Sequence, residues 1–302
     1  MKKRIVAILI LLVLVLSGCQ GFKFGQTKEQ ASAADVHRGV KGVTMNFVRN
    51  APPDELFEGS PLDILIELRN EGAAEATGTL YLSGYDATIF PIQPQYTDFT
   101  LEARSTFNTL GGYEPKTFSA RNVALPSGVD VLNQNFLAYA CYNYRTEADI
   151  QVCIDPNPLS VLENEVCKPT APAVGGGQGG PVSITAIKED AAPGKVGFQI
   201  TITNQGDGQV IEKNSMNNCP QNLKFNDVDT VYYAVRLQGA QGDCEPKQRA
   251  RIATGKQGLI YCRFTLSDSN SLAYQSVLEV DLDYGYLSKV SKTIRVKSVP
   301  NG

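Results

Sequence analysis

Two stretches of this chain alternate apolar and polar residues with a period of two and then stop on the same turn signal. Leu62, Ile64, Ile66 and Leu68 precede Asn70-Glu71-Gly72, and Val196, Phe198, Ile200 and Ile202 precede Asn204-Gln205-Gly206, a constant 134 residues later. Successive side chains of a strand point to opposite faces, so this pattern demands a strand with one buried face. Asn and Gly then supply the turn. The later parts of the two segments match at an offset of 142, pairing Leu110 with Ile252, Phe118 with Ile260, Tyr142 with Tyr284, Tyr144 with Tyr286 and Val152 with Ile294. The chain reads as a duplicated module, and the eight residues by which the offset grows lie between Gly206 and Ile252.

Further strands are expected at residues 43–48, 78–82, 118–123, 136–144 and 150–154 of the first copy. In the second they are expected at 182–187, 230–237, 259–266, 277–286 and 293–296. Short strands separated by Pro, Gly, Asn and Asp clusters, with almost no helical periodicity, point to an all-β chain of two tandem Ig-like antiparallel β-sandwich domains. Residues 40–168 form the first domain and 182–299 the second. Between them residues 169–181, which include Gly175-Gly176-Gly177-Gln178-Gly179-Gly180, are too rich in Gly and Pro for a regular element and read as a linker.

The N-terminus carries an address. Lys2, Lys3 and Arg4 precede an apolar run from Ile5 to Leu16, followed by Ser17-Gly18-Cys19. A charged start, a short apolar core and a small-residue cut site mark a secretory signal, and the cysteine at the cut resembles a lipobox, whose sulfur receives a diacylglycerol before cleavage. Twelve apolar residues cover only about 18 Å of helix, short of a hydrocarbon core of roughly 30 Å. Residues 1–18 are therefore expected to be a signal peptide and Cys19 the lipidated start of the mature chain. Residues 20–39 follow as a small, polar tether whose reach is on the order of 25 Å. The expected location is the extracytoplasmic face of the cell membrane. Loss of Lys2, Lys3 and Arg4 moves the formal charge from −3 to −6, a balance that offers no basic stripe to nucleic acid.

Six further cysteines, Cys141, Cys153, Cys167, Cys219, Cys244 and Cys262, suggest three disulfides in an exported chain. A hairpin turning at Glu147 sets Cys141 opposite Cys153. Cys244 lies near enough to Cys262 for a local bridge, which leaves Cys167 for Cys219. Carrying Cys141 and Cys153 forward by 142 gives Asp283 and Arg295, an expected cross-strand charge pair. No Cys-x-x-Cys pair is present and the single histidine, His37, lies in the tether, so neither a zinc site nor histidine-based catalysis is expected. No cofactor is implied. Glu279, Asp281 and Asp283 form an acidic ladder on the outer face of a strand, read as solvated. Ile89, Phe90, Ile92, Tyr96 and Phe99, interrupted by Pro91 and Pro94, either cover their own domain or form a recognition surface for a partner.

The run Glu58-Gly59-Ser60-Pro61 leading into an alternating strand, then Asn70-Glu71-Gly72, then Leu110-Gly111-Gly112-Tyr113-Glu114-Pro115-Lys116-Thr117-Phe118 resembles CARDB-type modules, the cell-adhesion-related Ig-like domains of prokaryotic surface proteins. The resemblance covers most of residues 42–155 and, less closely, 182–298. The chain is also similar to uncharacterised archaeal secreted proteins in which paired modules follow a lipobox. What this implies is a non-catalytic, lipid-anchored surface protein acting in adhesion, as a scaffold or as an accessory subunit, with an unknown protein or surface polymer as partner. The alternatives are an envelope hydrolase or carbohydrate-active enzyme using carboxylates, and a solute-binding lipoprotein.

Overall fold

The structure, a computed structural model, describes residues 33–159, 166–172, 174, 176–252, 256–266 and 272–299. The signal peptide, Cys19 and the tether up to residue 32 lie outside the described residues. After a one-turn helix α1 (Ala33–Val36), the first half contains β1 (Val43–Phe47), β2 (Glu55–Phe57), β3 (Leu62–Asn70), β4 (Ala76–Ser83), β5 (Tyr96–Leu101), β6 (Tyr113–Ala120) and β7 (Val131–Ile154). The second half contains β8 (Val182–Ala192), β9 (Lys195–Asn204), β10 (Gln209–Ile211), β11 (Thr230–Leu237), β12 (Ala240–Gln241), β13 (Asp243–Glu245), β14 (Arg249–Arg251), β15 (Gln257–Thr265) and β16 (Tyr274–Lys297). The protein is all-β, and every pairing between these strands is antiparallel except that of β2 with β16.

Three sheets result. The order β1-β3-β6 belongs to the first half, β13-β15-β9-β8 to the second, and a nine-stranded sheet running β12-β11-β16-β7-β4-β5 is built from both. Its centre is the pair β7 and β16, each 24 residues long and in register from Ile154 opposite Tyr274 to Val131 opposite Lys297. The hairpin expected at Glu147 does not exist. Phe136, Ala138, Ala140, Tyr142, Tyr144, Thr146, Ala148, Ile150, Val152 and Ile154 are all buried, so one face stays inward through the polar stretch 145–149 and the strand continues. The buried faces of the three sheets merge into one hydrophobic cluster, from Val43 and Ile66 to Phe198 and Ile260.

The duplication appears in this pairing as a two-fold relation. Tyr142 stands opposite Tyr286 and Tyr144 opposite Tyr284, with Asn143 opposite Gly285 between them. A half-turn about that central pair exchanges Tyr142 with Tyr284 and Tyr144 with Tyr286, which are the sequence equivalences at 142. The expected match of Phe118 with Ile260 is off by two residues. Ile64 pairs with Phe118, whereas its counterpart Phe198 pairs with Cys262. Shifting a strand by two keeps the same side chains inward, so the error left the pattern intact. The match of Leu110 with Ile252 also fails, because Leu110 is exposed and Ile252 is buried.

The disulfides are Cys141–Cys219, Cys153–Cys167 and Cys244–Cys262. Only the last is the expected bridge. Cys141 and Cys153 lie on one uninterrupted strand, about 40 Å apart at 3.4 Å per residue, and cannot meet. Cys219 therefore bridges from the second half to β7 of the first, and Cys167 bonds to the end of the same strand rather than to Cys219. Asp283 and Arg295 are likewise separated along β16. Asp283 reaches Arg145 at 3.8 Å and Lys213 at 3.9 Å, while Arg295 pairs with Glu55 at 3.3 Å.

A candidate binding cleft at the seam of the two halves

The two Asn-x-Gly turns and the two Tyr-x-Tyr motifs converge at the seam. Asn70 Oδ1 accepts hydrogen bonds from Gly72 N at 3.1 Å and Tyr144 OH at 3.3 Å, while its Nδ2 donates to Ala74 O at 2.7 Å. In the second half Asn204 Oδ1 accepts from Gly206 N at 3.2 Å and Tyr286 OH at 3.1 Å, and its Nδ2 donates to Gly208 O at 2.9 Å. The same three bonds recur atom for atom. The inner tyrosines repeat as well: Val43 N donates to Tyr142 OH at 3.1 Å and Val182 N to Tyr284 OH at 3.2 Å. Each of these hydroxyls also lies beside a hydroxyl of the opposite half's long strand, Ser288 for Tyr142 and Thr146 for Tyr284.

Four rings thus close a square at the two-fold axis, with centroids 5.8 Å apart for Tyr142 and Tyr286, 6.2 Å for Tyr144 and Tyr284, 5.9 Å for Tyr142 and Tyr144, and 6.4 Å for Tyr284 and Tyr286. Burial pushes the Tyr144 and Tyr286 hydroxyls up to about 12 and raises those of Tyr142 and Tyr284 as well. All four stay neutral and serve as hydrogen-bonding groups.

Beside this square a cleft of about 780 Å³ is lined by residues 40–46 and Glu71 of the first half, and by 205–208 and 288–290 of the second. Lys41, Asp207 and Lys289 bring charge to its wall, and Thr44, Asn46 and Ser288 bring neutral polar groups. Glu71 is braced rather than free. Lys41 Nζ donates to it at 3.0 Å and Thr44 Oγ1 at 3.0 Å; burial works to raise its carboxyl, but these bonds outweigh that and hold it below the usual range.

The two-fold relation is broken at the place equivalent to this cleft. There the chain packs on itself around Gly39 and Gly179 and leaves a smaller concavity of about 530 Å³ beside Glu147 and Ala148, the counterparts of Lys289 and Val290. Gly39 N donates to Gly176 O at 2.7 Å, Gly179 N to Gly39 O at 2.9 Å and Ala73 N to Gly179 O at 2.7 Å. Ala73 is the counterpart, by the 134 offset, of Asp207 in the open cleft. The described glycines of the expected linker are therefore bound into the body, and a Cβ at Gly177 would fall 2.2 Å from Gly39 O. The last residues of the expected tether are held too, because Arg104 Nη2 donates to Val36 O at 2.6 Å and to Arg38 O.

The remaining expected site residues sort plainly. Phe90, Ile92 and Phe99 are buried and Ile89 packs against the core, so of the suggested partner surface only Tyr96, on edge strand β5, is exposed. The prolines there interrupt a covering segment of which Ile89, Phe90, Ile92 and Phe99 face the core. His37 is exposed beside Glu147 and Gln151. The acidic ladder is ion-paired rather than solvated: Asp281, only 8 % exposed, lies 2.8 Å from Arg236 and 3.4 Å from Arg145, and Glu279 lies 2.9 Å from Arg236. Among the described residues no group of three or more His, Cys, Asp or Glu could hold a metal ion, and no helix is long and apolar enough to cross a membrane.

Neither protein-family models nor curated proteins give a match to this chain. The three disulfides point to an oxidising, extracytoplasmic environment. The cleft residues Lys41, Asp207 and Lys289 were missed in the sequence because charged residues beside strands are ordinary. The signal that could have pointed to part of this wall is the doubled Asn-x-Gly turn, since Glu71 lies within its first copy and Asp207 directly follows its second.

Proposed function

We propose that this chain is a lipid-anchored protein of the extracytoplasmic face that acts by binding, as an adhesin, scaffold or accessory subunit, and that its ligand engages the cleft at the seam. In this reading its halves are two Ig-like modules similar to the CARDB type, and Cys19 carries the lipid. The observation that carries the proposal is the cleft itself, which draws charged and neutral polar side chains from both halves onto a rigid wall. Its wall is fixed by the 24-residue strand pair and by Cys141–Cys219. A few convergent polar groups on a preformed concave surface are what a binding site needs. The same rigidity weighs against a solute-binding clamshell, which works by hinge closure. Carboxylate hydrolysis is less favoured because Glu71 is committed to Lys41 and Thr44.

The test places a photo-crosslinking residue at Asn46 in the cleft and, as control, at Leu259, which is 55 % exposed on β15, in cells making the full chain. Crosslinked products specific to position 46 that disappear with Lys289→Glu are expected. Equal products from both positions would refute the assignment of the cleft. In the same cells Cys19→Ala should move the protein from the membrane fraction to the medium or leave an uncleaved precursor; unchanged membrane association of a cleaved chain refutes the anchor.

A further inference from the structure

The loop between β5 and β6 exposes two large apolar side chains at its tip, Phe107 at 92 % and Leu110 at 67 %. Its shape is fixed by its own bonds. Ser105 N donates to Asn108 O at 2.9 Å, Asn108 N to Ser105 Oγ at 2.9 Å, Gly111 N to Asn108 O at 3.2 Å and Gly112 N to Glu102 O at 2.9 Å. Gly111 adopts φ +75° against Asn70 O, where a Cβ would fall at 1.8 Å, so only glycine lets the loop lie this close to β3. Arg69 steadies the far side, donating to Leu110 O at 3.4 Å and standing 4.9 Å over the Tyr113 ring. A rigid loop that holds Phe and Leu in water presents them to something.

Its position says to what. Arg104, at the root of the loop, carries the hydrogen bonds to Val36 O and Arg38 O, so the chain leading back to Cys19 departs beside this loop. Thirteen residues separate Cys19 from Ala33, a span with a root-mean-square reach of about 20 Å. We infer that the tip formed by Phe107 and Leu110 inserts into the outer boundary of the lipid bilayer next to the anchor, orienting the body on the membrane; this rests on the lipid-anchor reading proposed above. The diacylglyceryl group on Cys19 supplies the hold with its two chains, and an apolar contact at the headgroup and acyl boundary, about 5–10 Å deep, adds orientation to it. A second copy of the chain fits less well. Stable dimers bury roughly 800 Å² on each partner, and two side chains at a loop tip supply far less.

The chain contains no tryptophan, so Phe107→Trp makes a sole reporter in a side chain that stands in solvent. The lipidated full chain, purified from membranes, is mixed with phosphatidylcholine vesicles containing some phosphatidylglycerol and brominated acyl chains. We expect the protein to float with the vesicles and the fluorescence of the F107W reporter to be quenched. Phe225→Trp, at an exposed aromatic of the second half, should be unquenched. Flotation with the F107W reporter unquenched overturns the inference while the anchor stands. Quenching of that reporter that persists at equal vesicle binding in a Cys19→Ala chain cleaved of its signal peptide overturns the anchored arrangement inferred here. Neither flotation nor quenching refutes both. Equal quenching of the F107W and F225W variants, or blue-shifted F107W emission without lipid in a protein that sediments as a dimer, also overturns the inference.

Discussion

Replacing Cys141 and Cys219 together with alanine tests whether the second half is stapled to the first as described. The bridge closes 78 residues, and chain-entropy arithmetic assigns such a loop about 4.5 kcal/mol, against about 3 kcal/mol for the 14-residue loop of Cys153–Cys167. The short loop lies inside the long one and reduces its effective length, so the expected loss is about 4 kcal/mol. At roughly 2 °C or more per kcal/mol for a body of this size, the melting temperature should fall by about 8 °C or more. The assay is urea unfolding followed by far-ultraviolet circular dichroism, run in parallel on the double variants of both bridges. A single transition should survive, because β7 and β16 still join the halves along 24 residues each. The reasoning is refuted if the long bridge costs no more than the short one, or if the variant unfolds in two separated steps.

Four other substitutions reach different parts of the molecule. Asn204→Ala removes three hydrogen bonds at about 1 kcal/mol each; Asn70→Ala should cost at least as much, since Asn70 Nδ2 also donates to Leu101 O at 3.1 Å, and urea midpoints in which either variant matches the parent contradict the repeated seam. Gly177→Ala collides with Gly39 O, so limited proteolysis near residues 36–40 should accelerate several-fold, and an unchanged digestion pattern speaks against that packing. Burial, with Asp155 nearby, raises the Glu189 carboxyl from its ordinary 4.5 to about 7. The folded state then holds more protons than the unfolded state between these values, so this contribution to stability is fully present below about pH 4.5 and is lost as pH rises through 7. Glu189→Gln should match the parent at pH 4 and exceed it in urea midpoint at pH 8; a constant difference across that range refutes the assignment.

Local features of the fold were legible because they are written locally. The alternation in 62–68 and 196–202 became β3 and β9, residues 230–237 became β11, and the Tyr-x-Tyr motifs proved to be the seam. Arg145 to Asp149 misled because charged residues usually mark turns. The parity of Tyr144, Thr146, Ala148 and Ile150 held across them, and parity is the stronger signal when the polar residues fall on the outer face. The pairing of Cys141 with Cys219 was out of reach, since it depends on how the segment after β10 crosses the outer face of a sheet made by both halves. The glycine run failed for a related reason. Glycine is required both where a chain must flex and where backbones approach closely, and composition alone does not separate the two.

Each half contributes a long strand whose only partner on one side, among the described residues, is the corresponding strand of the other half. Separated at the glycine run, either half would offer a 24-residue row of bare peptide groups, the kind of edge that recruits further chains. Because Tyr142 and Tyr144 form a pattern that matches its own reversed copy, the first partner such a half meets could be another of itself. Tandem fusion settles the matter within one polypeptide: stoichiometry is fixed at one to one, the adhesive edge is covered as soon as both copies are made, and the two faces around the axis become free to diverge, one packing on its own backbone while the other keeps the larger cleft.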